Sequence, residues 1–195
     1  MTDDPDSCHS TAPDLAVAVR IASRRWRVRL PEVPALLERA ARAALEGAAD
    51  SDGRDLGGAQ EVSFLLADDA RLRRLNRDYR GQDKATNVLS FPAEDGFAPG
   101  EADAGPRLLG DVVLALETLE REAAAQSKSL PDHVSHLAVH GVLHLLGYDH
   151  EDAAEAARME RLETRILAGL GIADPYAAAP QPSGLAGAAV PEGAP

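Results

Sequence analysis

The sequence predicts an α+β fold: a single domain in which a small mixed β-sheet packs with about five helices, with a metal site at the end of one helix. Three observations predict it. Short runs of Val, Leu and Ile have the length of strands, longer runs space their apolar residues three and four apart as amphipathic helices do, and the two kinds are interleaved along the chain. A length of 195 residues suits one such domain with tails.

Leu15 to Ile21 reads as a first strand. Val33, Leu36, Leu37, Ala40, Ala44 and Leu45 share one face of a helix over 33–48, and Gly53, Gly57 and Gly58 mark a loop over 49–58. Gln60 to Leu66 reads as a second strand. Asp68 is placed to cap a helix reaching about Asp78, with Leu72 and Leu75 inward and the arginines outward. Asn87 to Phe91 is a short strand closed by Pro92, residues 93–106 form a loop rich in Gly, Pro and acids, and Val112 to Ala115 is the buried part of a further strand. A helix follows over about Glu117 to Ala125. Ser129 caps the next one, with Pro131 in its first turn and Asp132 at the capping-box position. That helix stops at Gly147, and a last one spans about Glu151 to Leu170. Residues 1–14 are expected to be a disordered acidic extension and 177–195 a disordered Ala/Pro/Gly tail, which leaves 15–176 as the folded unit.

Composition narrows the class. Apolar residues make up 45% and aromatics only 4%, so the core is aliphatic. Cys8 is the only cysteine, so no disulfide forms within the chain. Met1 to Asp14 holds four aspartates and no Lys or Arg, unlike a secretory signal. No apolar stretch approaches the ~20 residues of a membrane helix. A soluble, cytoplasmic protein is expected, with no membrane partner. The net charge of −12 argues against a general nucleic-acid coat, but charge placement matters more than the sum. Arg20, Arg24, Arg25, Arg27 and Arg29 lie together without an acid, and Arg71, Arg73, Arg74, Arg77, Arg80 and Lys84 face only Asp78 and Asp83. Both clusters read either as solvated faces or as phosphate-binding surfaces.

Five of the six histidines lie between 133 and 150. His140 and His144 are four apart, on one face of a helix. Gly147 lets the chain turn back, and His150 then supplies a third ligand. With 6 histidines in 195 residues, two such offsets are filled by chance only about once in a thousand. Three neutral imidazoles leave a divalent ion its full charge and an open coordination position, which on zinc lowers the pKa of bound water to about 7. Zinc is the first choice, and nickel, cobalt or copper also suit the ligands. His136, one turn before His140, is either a fourth ligand or a residue behind the site, and His133 is a solvated first-turn residue or a contact to the sheet. Asp149 either orients a ligand imidazole or accepts a proton, or it caps the last helix. Zinc proteases of the H-E-x-x-H type carry a glutamate base after the first histidine, whereas this chain has Gly141, which is expected to open room beside the metal.

Several separate stretches carry a resemblance. They are Leu75-Asn76-Arg77-Asp78-Tyr79-Arg80-Gly81, Lys84-Ala85-Thr86-Asn87-Val88-Leu89-Ser90-Phe91-Pro92, Leu109-Gly110-Asp111-Val112-Val113, the run from His136 through His150, and Asp174-Pro175-Tyr176. Together they resemble the YbeY-type endoribonucleases, bacterial rRNA maturation factors, over roughly 60–176. Ala85 stands where the family often has Pro, and both tails lie outside its pattern. The resemblance implies an α+β domain holding one zinc ion on His140, His144 and His150. It implies cleavage of single-stranded RNA, with roles in processing the 3′ end of small-subunit rRNA and in ribosome quality control, and Arg80 as a functional residue of the cleft. The expected partners are rRNA and the small ribosomal subunit or its assembly factors, with no DNA substrate. On this reading Arg80 stabilises charge on the phosphate, Asp149 acts beside it, and Ser90, Arg77 and Lys84 contact the substrate. Phe91 and Tyr148 either stack a base or simply pack. Two rival readings stay open: a metal-dependent hydrolase of a peptide or small ester, and a non-catalytic ribosome-assembly factor with structural zinc.

Overall fold

Four strands, β1 (Leu15–Ile21), β2 (Gln60–Ala67), β3 (Val88–Pro92) and β4 (Arg107–Ala115), form one mixed sheet in the order β1-β2-β4-β3. The structure is a computed structural model and describes residues 14–53, 56, 58–93, 105–150 and 152–177. The acidic extension up to Pro13, most of the 93–106 loop and the tail from residue 178 lie outside the described residues. β1 pairs in parallel with β2, β2 in parallel with β4, and β3 antiparallel with β4 at the edge. Parallel neighbours need a crossover. The one between β1 and β2 holds α1 (Arg25–Arg29) and α2 (Val33–Asp52); α3 (Asp69–Arg80) follows β2. After the sheet come α4 (Leu116–Ala125), α5 (Leu130–Leu145) and α6 (Ala153–Gly169).

The period of two along each strand divides the core. Val62, Phe64 and Leu66 of β2 and Val112 and Leu114 of β4 face one way, into the main core with α2, α5 and α6. Ala67, Leu89, Val113 and Ala115 face the other way and meet Leu72 of α3, with Leu65, Leu75 and Phe91 around them. The sheet therefore has α5 on one face and α3 on the other. Within the first layer α5 is central: Val134, Ala138, Val139, Val142 and Leu143 are all fully buried.

The helix ends follow local chemistry. Asp68 accepts from the Arg71 amide at 2.8 Å, and Ser129 from the Asp132 amide at 3.1 Å. One helix boundary needs correction. The helix expected to end at Ala48 continues to Asp52, because Gly53 (φ +59°) is the first residue that favours leaving it. The described residues hold six helices, in keeping with about five; the one without a sequence signal, α1, is too short to show a period, and it is fixed by Trp26, fully buried with its indole N–H donating to the Ala67 carbonyl at 2.8 Å. Among the described residues no helix is long and apolar enough to cross a membrane.

Gly110 marks an irregularity in the sheet. Glu61 pairs with Leu108 and Val62 with Gly110, so β4 carries one extra residue there. Gly110 has φ +133°, and a Cβ would stand 2.2 Å from the Phe91 carbonyl oxygen. Gly110→Ala should destabilise the fold by about 2 kcal/mol or more, backbone strain alone supplying roughly 1–3 kcal/mol. Chemical denaturation would show it as a lowered midpoint; an unchanged midpoint would mean the bulge is not required.

Candidate metal centre

The last turns of α5 and the reversal after them build the site. Positions 140 and 144 share a helix face, and their rings lie 4.5 Å apart, with the two Nε2 atoms at 3.1 Å. Gly147 then takes φ +86°, and its amide donates to the His144 carbonyl at 3.0 Å, while the Tyr148 amide donates to Leu143 at 3.0 Å. This turn carries His150 back over the helix end, its ring 4.9 Å from His144 and 5.7 Å from His140. One ligand atom from each of the three histidines falls within 4.8 Å of the others. Two side chains set the turn. Asp149 accepts the His150 amide at 2.7 Å, and the buried Tyr148 donates its hydroxyl to Asp52 at 2.8 Å, at the end of α2 that the sequence pattern missed.

Behind His140 stands Glu163, fully buried on α6. Its Oε1 accepts from His140 Nδ1 at 2.8 Å and its Oε2 from His136 Nε2 at 2.8 Å, while the Tyr176 hydroxyl also donates to Oε2. Burial alone would raise this carboxyl, but the hydrogen bonds from His136, His140 and Tyr176 outweigh it and hold it at about 2. His136 is thus turned to Glu163 and is not a fourth member of the triad. Sequence reading missed Glu163, though a signal was present. Met159, Leu162, Ile166 and Leu167 form the apolar stripe of α6, and position 163 falls within it. An acid on such a stripe has to be paired.

The donor set fits a divalent ion. A carboxylate only accepts, so His140 carries its proton on Nδ1, and its Nε2 offers a lone pair to the triad. His144 is held at about 4, first by burial and then by the neighbouring His140 and His150, so its imidazole is neutral near pH 7. The triad can bind a metal ion.

Acid lability follows from the same shifts. His144 stands near 4 in the fold against 6.5 for the free side chain, so between these values the unfolded chain takes up the proton and the fold does not. Glu163 acts in the same sense between 4.5 and about 2. The thermal midpoint of the metal-free protein should fall as pH drops from 6.5, and His144→Asn should flatten the upper part of that fall. A midpoint independent of pH between 6.5 and 4 would show that His144 is not held neutral.

The other predicted residues distribute unevenly. Gly141 does not open room at the metal. It faces the sheet, where a Cβ would stand 2.7 Å from Val112 Cγ1 and 3.3 Å from Ser90 Oγ, so the glycine lets α5 approach the strands. Ser90 lies on β3 and donates its hydroxyl to the Gly141 carbonyl at 3.1 Å, next to His140 in sequence. Asp149 is exposed and holds the backbone of His150, not its ring; the cap of α6 is Asp152. Arg80 is the last residue of α3, exposed and without an ion pair among the described residues, as is Lys84. Arg77 pairs with its neighbour Asp78 at 2.9 Å. Arg77 and Arg80 lie in the last turn of α3, and no direct contact joins them or Lys84 to the triad among the described residues.

The two arginine clusters part company. Arg25 and Arg29 meet Glu117 and Glu120 of α4, so two of the five arginines of the first cluster are paired within the fold, while Arg20, Arg24 and Arg27 have no ion pair among the described residues. In the second, Arg73 is held by Asp83 at 2.7 Å. Tyr148 is buried and unavailable for stacking, and Phe91 packs edge-on against Tyr79 at 5.1 Å. His133 is neither solvated nor a plain sheet contact: it is buried and bonds Glu122 at 2.9 Å, a carboxylate that also takes Asn87. Burial outweighs Glu122 and lowers the His133 pKa.

An α+β domain whose central helix ends in a convergent histidine triad defines the general class: a protein built around a site for one metal ion. The family model described as Endoribonuclease YbeY matches residues 23–171. The chain belongs to the YbeY endoribonuclease family. Endoribonuclease YbeY of Rhodospirillum rubrum is 56% identical over 168 residues, covering 85% of this chain and 84% of the relative. That of Paramagnetospirillum magneticum is 52% identical over 162 residues, covering 83% and 96%. A solution structure from Thermotoga maritima matches at 20% identity and a TM-score of 0.45, over 84% of this chain and all of the other.

Proposed function

We propose that residues 15–176 form a zinc-dependent endoribonuclease that cuts single-stranded RNA, acting in the cytoplasm on the 3′ end of small-subunit rRNA and in ribosome quality control. The observation that carries this reading is the triad of His140, His144 and His150, with His136 engaged elsewhere. Three protein ligands with an open position are typical of catalytic zinc, and four closed ligands of structural zinc. The RNA substrate is supported by the names of the relatives. Zinc held by these histidines supplies Lewis acidity at a phosphodiester. The chain's own groups do the rest. Arg80 forks onto phosphate oxygens and stabilises charge that builds there. Arg77 and Lys84 hold flanking phosphates, which makes binding salt-sensitive. Ser90 Oγ offers its lone pairs to a substrate donor, and the exposed Asp149 carboxylate accepts a proton.

The rival hydrolase of peptides or esters has less support, because a glutamate base at position 141 would collide with Val112. The rival assembly factor with structural zinc lacks a fourth ligand among the described residues. The partners on this reading are rRNA and the small subunit or its assembly factors. A direct test incubates zinc-loaded protein with one sequence as single-stranded RNA, duplex RNA and single-stranded DNA. Cleavage confined to single-stranded RNA is expected. Intact RNA under all conditions would shift the reading to the assembly factor.

A further inference from the structure

Glu163 joins three parts of the chain at one buried carboxylate. The residue lies on α6; His136 and His140 come from α5, and Tyr176 from the segment beyond α6. Its side chain is 0% exposed, and no Lys or Arg among the described residues pairs with it. Hydrogen bonds from His136, His140 and Tyr176 keep this buried carboxylate in its accepting form. The triad lies one imidazole ring away, across His140.

We propose that Glu163 is the positioning residue of the metal centre: it fixes His140 in the tautomer whose Nε2 faces the ion. The inference rests on the metal-binding reading of the triad and is independent of RNA cleavage. The chemistry runs in one direction. A neutral imidazole has one donor and one acceptor nitrogen. With Nδ1–H given to Glu163 Oε1, the acceptor is Nε2, which stands 3.1 Å from His144 Nε2 inside the triad. A carboxylate on the far nitrogen also makes the ring a better ligand.

The remaining contacts hold the carboxylate still. His136 and Tyr176 both donate to Oε2, and the Tyr176 ring stands edge-on to His136 at 5.7 Å. Tyr176 is in turn fixed by its neighbours. Asp174 accepts the Tyr176 amide at 2.9 Å and the Thr164 hydroxyl at 3.2 Å, and Lys128 donates to the Pro175 carbonyl at 2.8 Å. The Asp174-Pro175-Tyr176 segment thereby restrains the carboxylate that orients His140.

The test uses the full chain, wild type and Glu163→Gln, with zinc affinity read by competition against a chromophoric chelator and thermal midpoints read with and without zinc. Loss of such an imidazole partner lowers metal affinity about 10–100-fold, and that loss is expected here. The metal-free midpoint should fall somewhat, because Gln gives up the charge-assisted hydrogen bonds of His136, His140 and Tyr176, and the rise on adding zinc should shrink as well. A purely structural carboxylate lowers the metal-free midpoint but leaves zinc affinity unchanged, and unchanged affinity would overturn the proposal. Should Glu163→Gln fail to fold, histidine nitrogen NMR on zinc-loaded wild type decides. His140 protonated on Nδ1 and ligated through Nε2 supports the proposal, and ligation through Nδ1 refutes it. Wild type that takes up no zinc overturns both this inference and the metal reading. Wild type that binds zinc but cuts no RNA leaves the inference standing.

Discussion

His144→Ala is expected to lose both bound zinc and cleavage of single-stranded RNA. His144 is the central member of the triad by position, 4.5 Å by ring centroid from His140 and 4.9 Å from His150. Two imidazoles remain, and neither the exposed Asp149 nor His136, held by Glu163, stands ready to replace it. Losing the hydrogen-bond partner of a metal-bound imidazole costs about 10–100-fold in affinity; losing the ligand itself should cost more. The fold should survive, because a neutral and partly buried imidazole is exchanged for a smaller apolar group, and the α5 core positions Val142 and Leu143 are untouched. Circular dichroism at the wild-type level, beside absent zinc and absent cleavage, is the expected combination. Retention of stoichiometric zinc by the variant would remove His144 from the site.

Arg80→Glu should separate the two properties. The residue is exposed at the C-terminal end of α3, without an ion pair among the described residues, and α3 packs on the opposite sheet face from α5. Reversing its charge therefore leaves the triad and the fold alone. If the guanidinium stabilises phosphate charge, its removal costs roughly 10²–10³-fold in turnover, and a carboxylate in its place adds repulsion. Zinc content at the wild-type level with cleavage down by at least that factor is expected. Cleavage at the wild-type rate would leave Arg80 a solvated helix-end residue.

What the sequence made legible was whatever carries a period or a local rule. The alternation in Gln60 to Leu66, the stripe in Val33 to Ala48, and the caps at Asp68 and Ser129 each depend on residues a few positions apart, and the structure places them close to where the pattern does. The triad was legible for the same reason, since i, i+4 and a glycine turn are local geometry. Contacts across the fold were not. Trp26 finds Ala67, Tyr148 finds Asp52, and Glu163 finds His140 across separations that no spacing encodes. In the first arginine cluster the partners of Arg25 and Arg29 were not legible, because Glu117 and Glu120 lie about 90 positions further on in α4. Gly141 misled because a helix neighbour of His140 is rotated about 100° away, onto the sheet instead of the metal.

The most direct measurement of the central claim follows zinc and RNA cleavage in one preparation of the wild-type protein, as purified, after chelation, and after zinc is returned. About one zinc per chain, loss of single-strand cleavage on chelation and its recovery with zinc is the result expected from a three-histidine catalytic site. Cleavage that persists unchanged in the metal-free protein would contradict it.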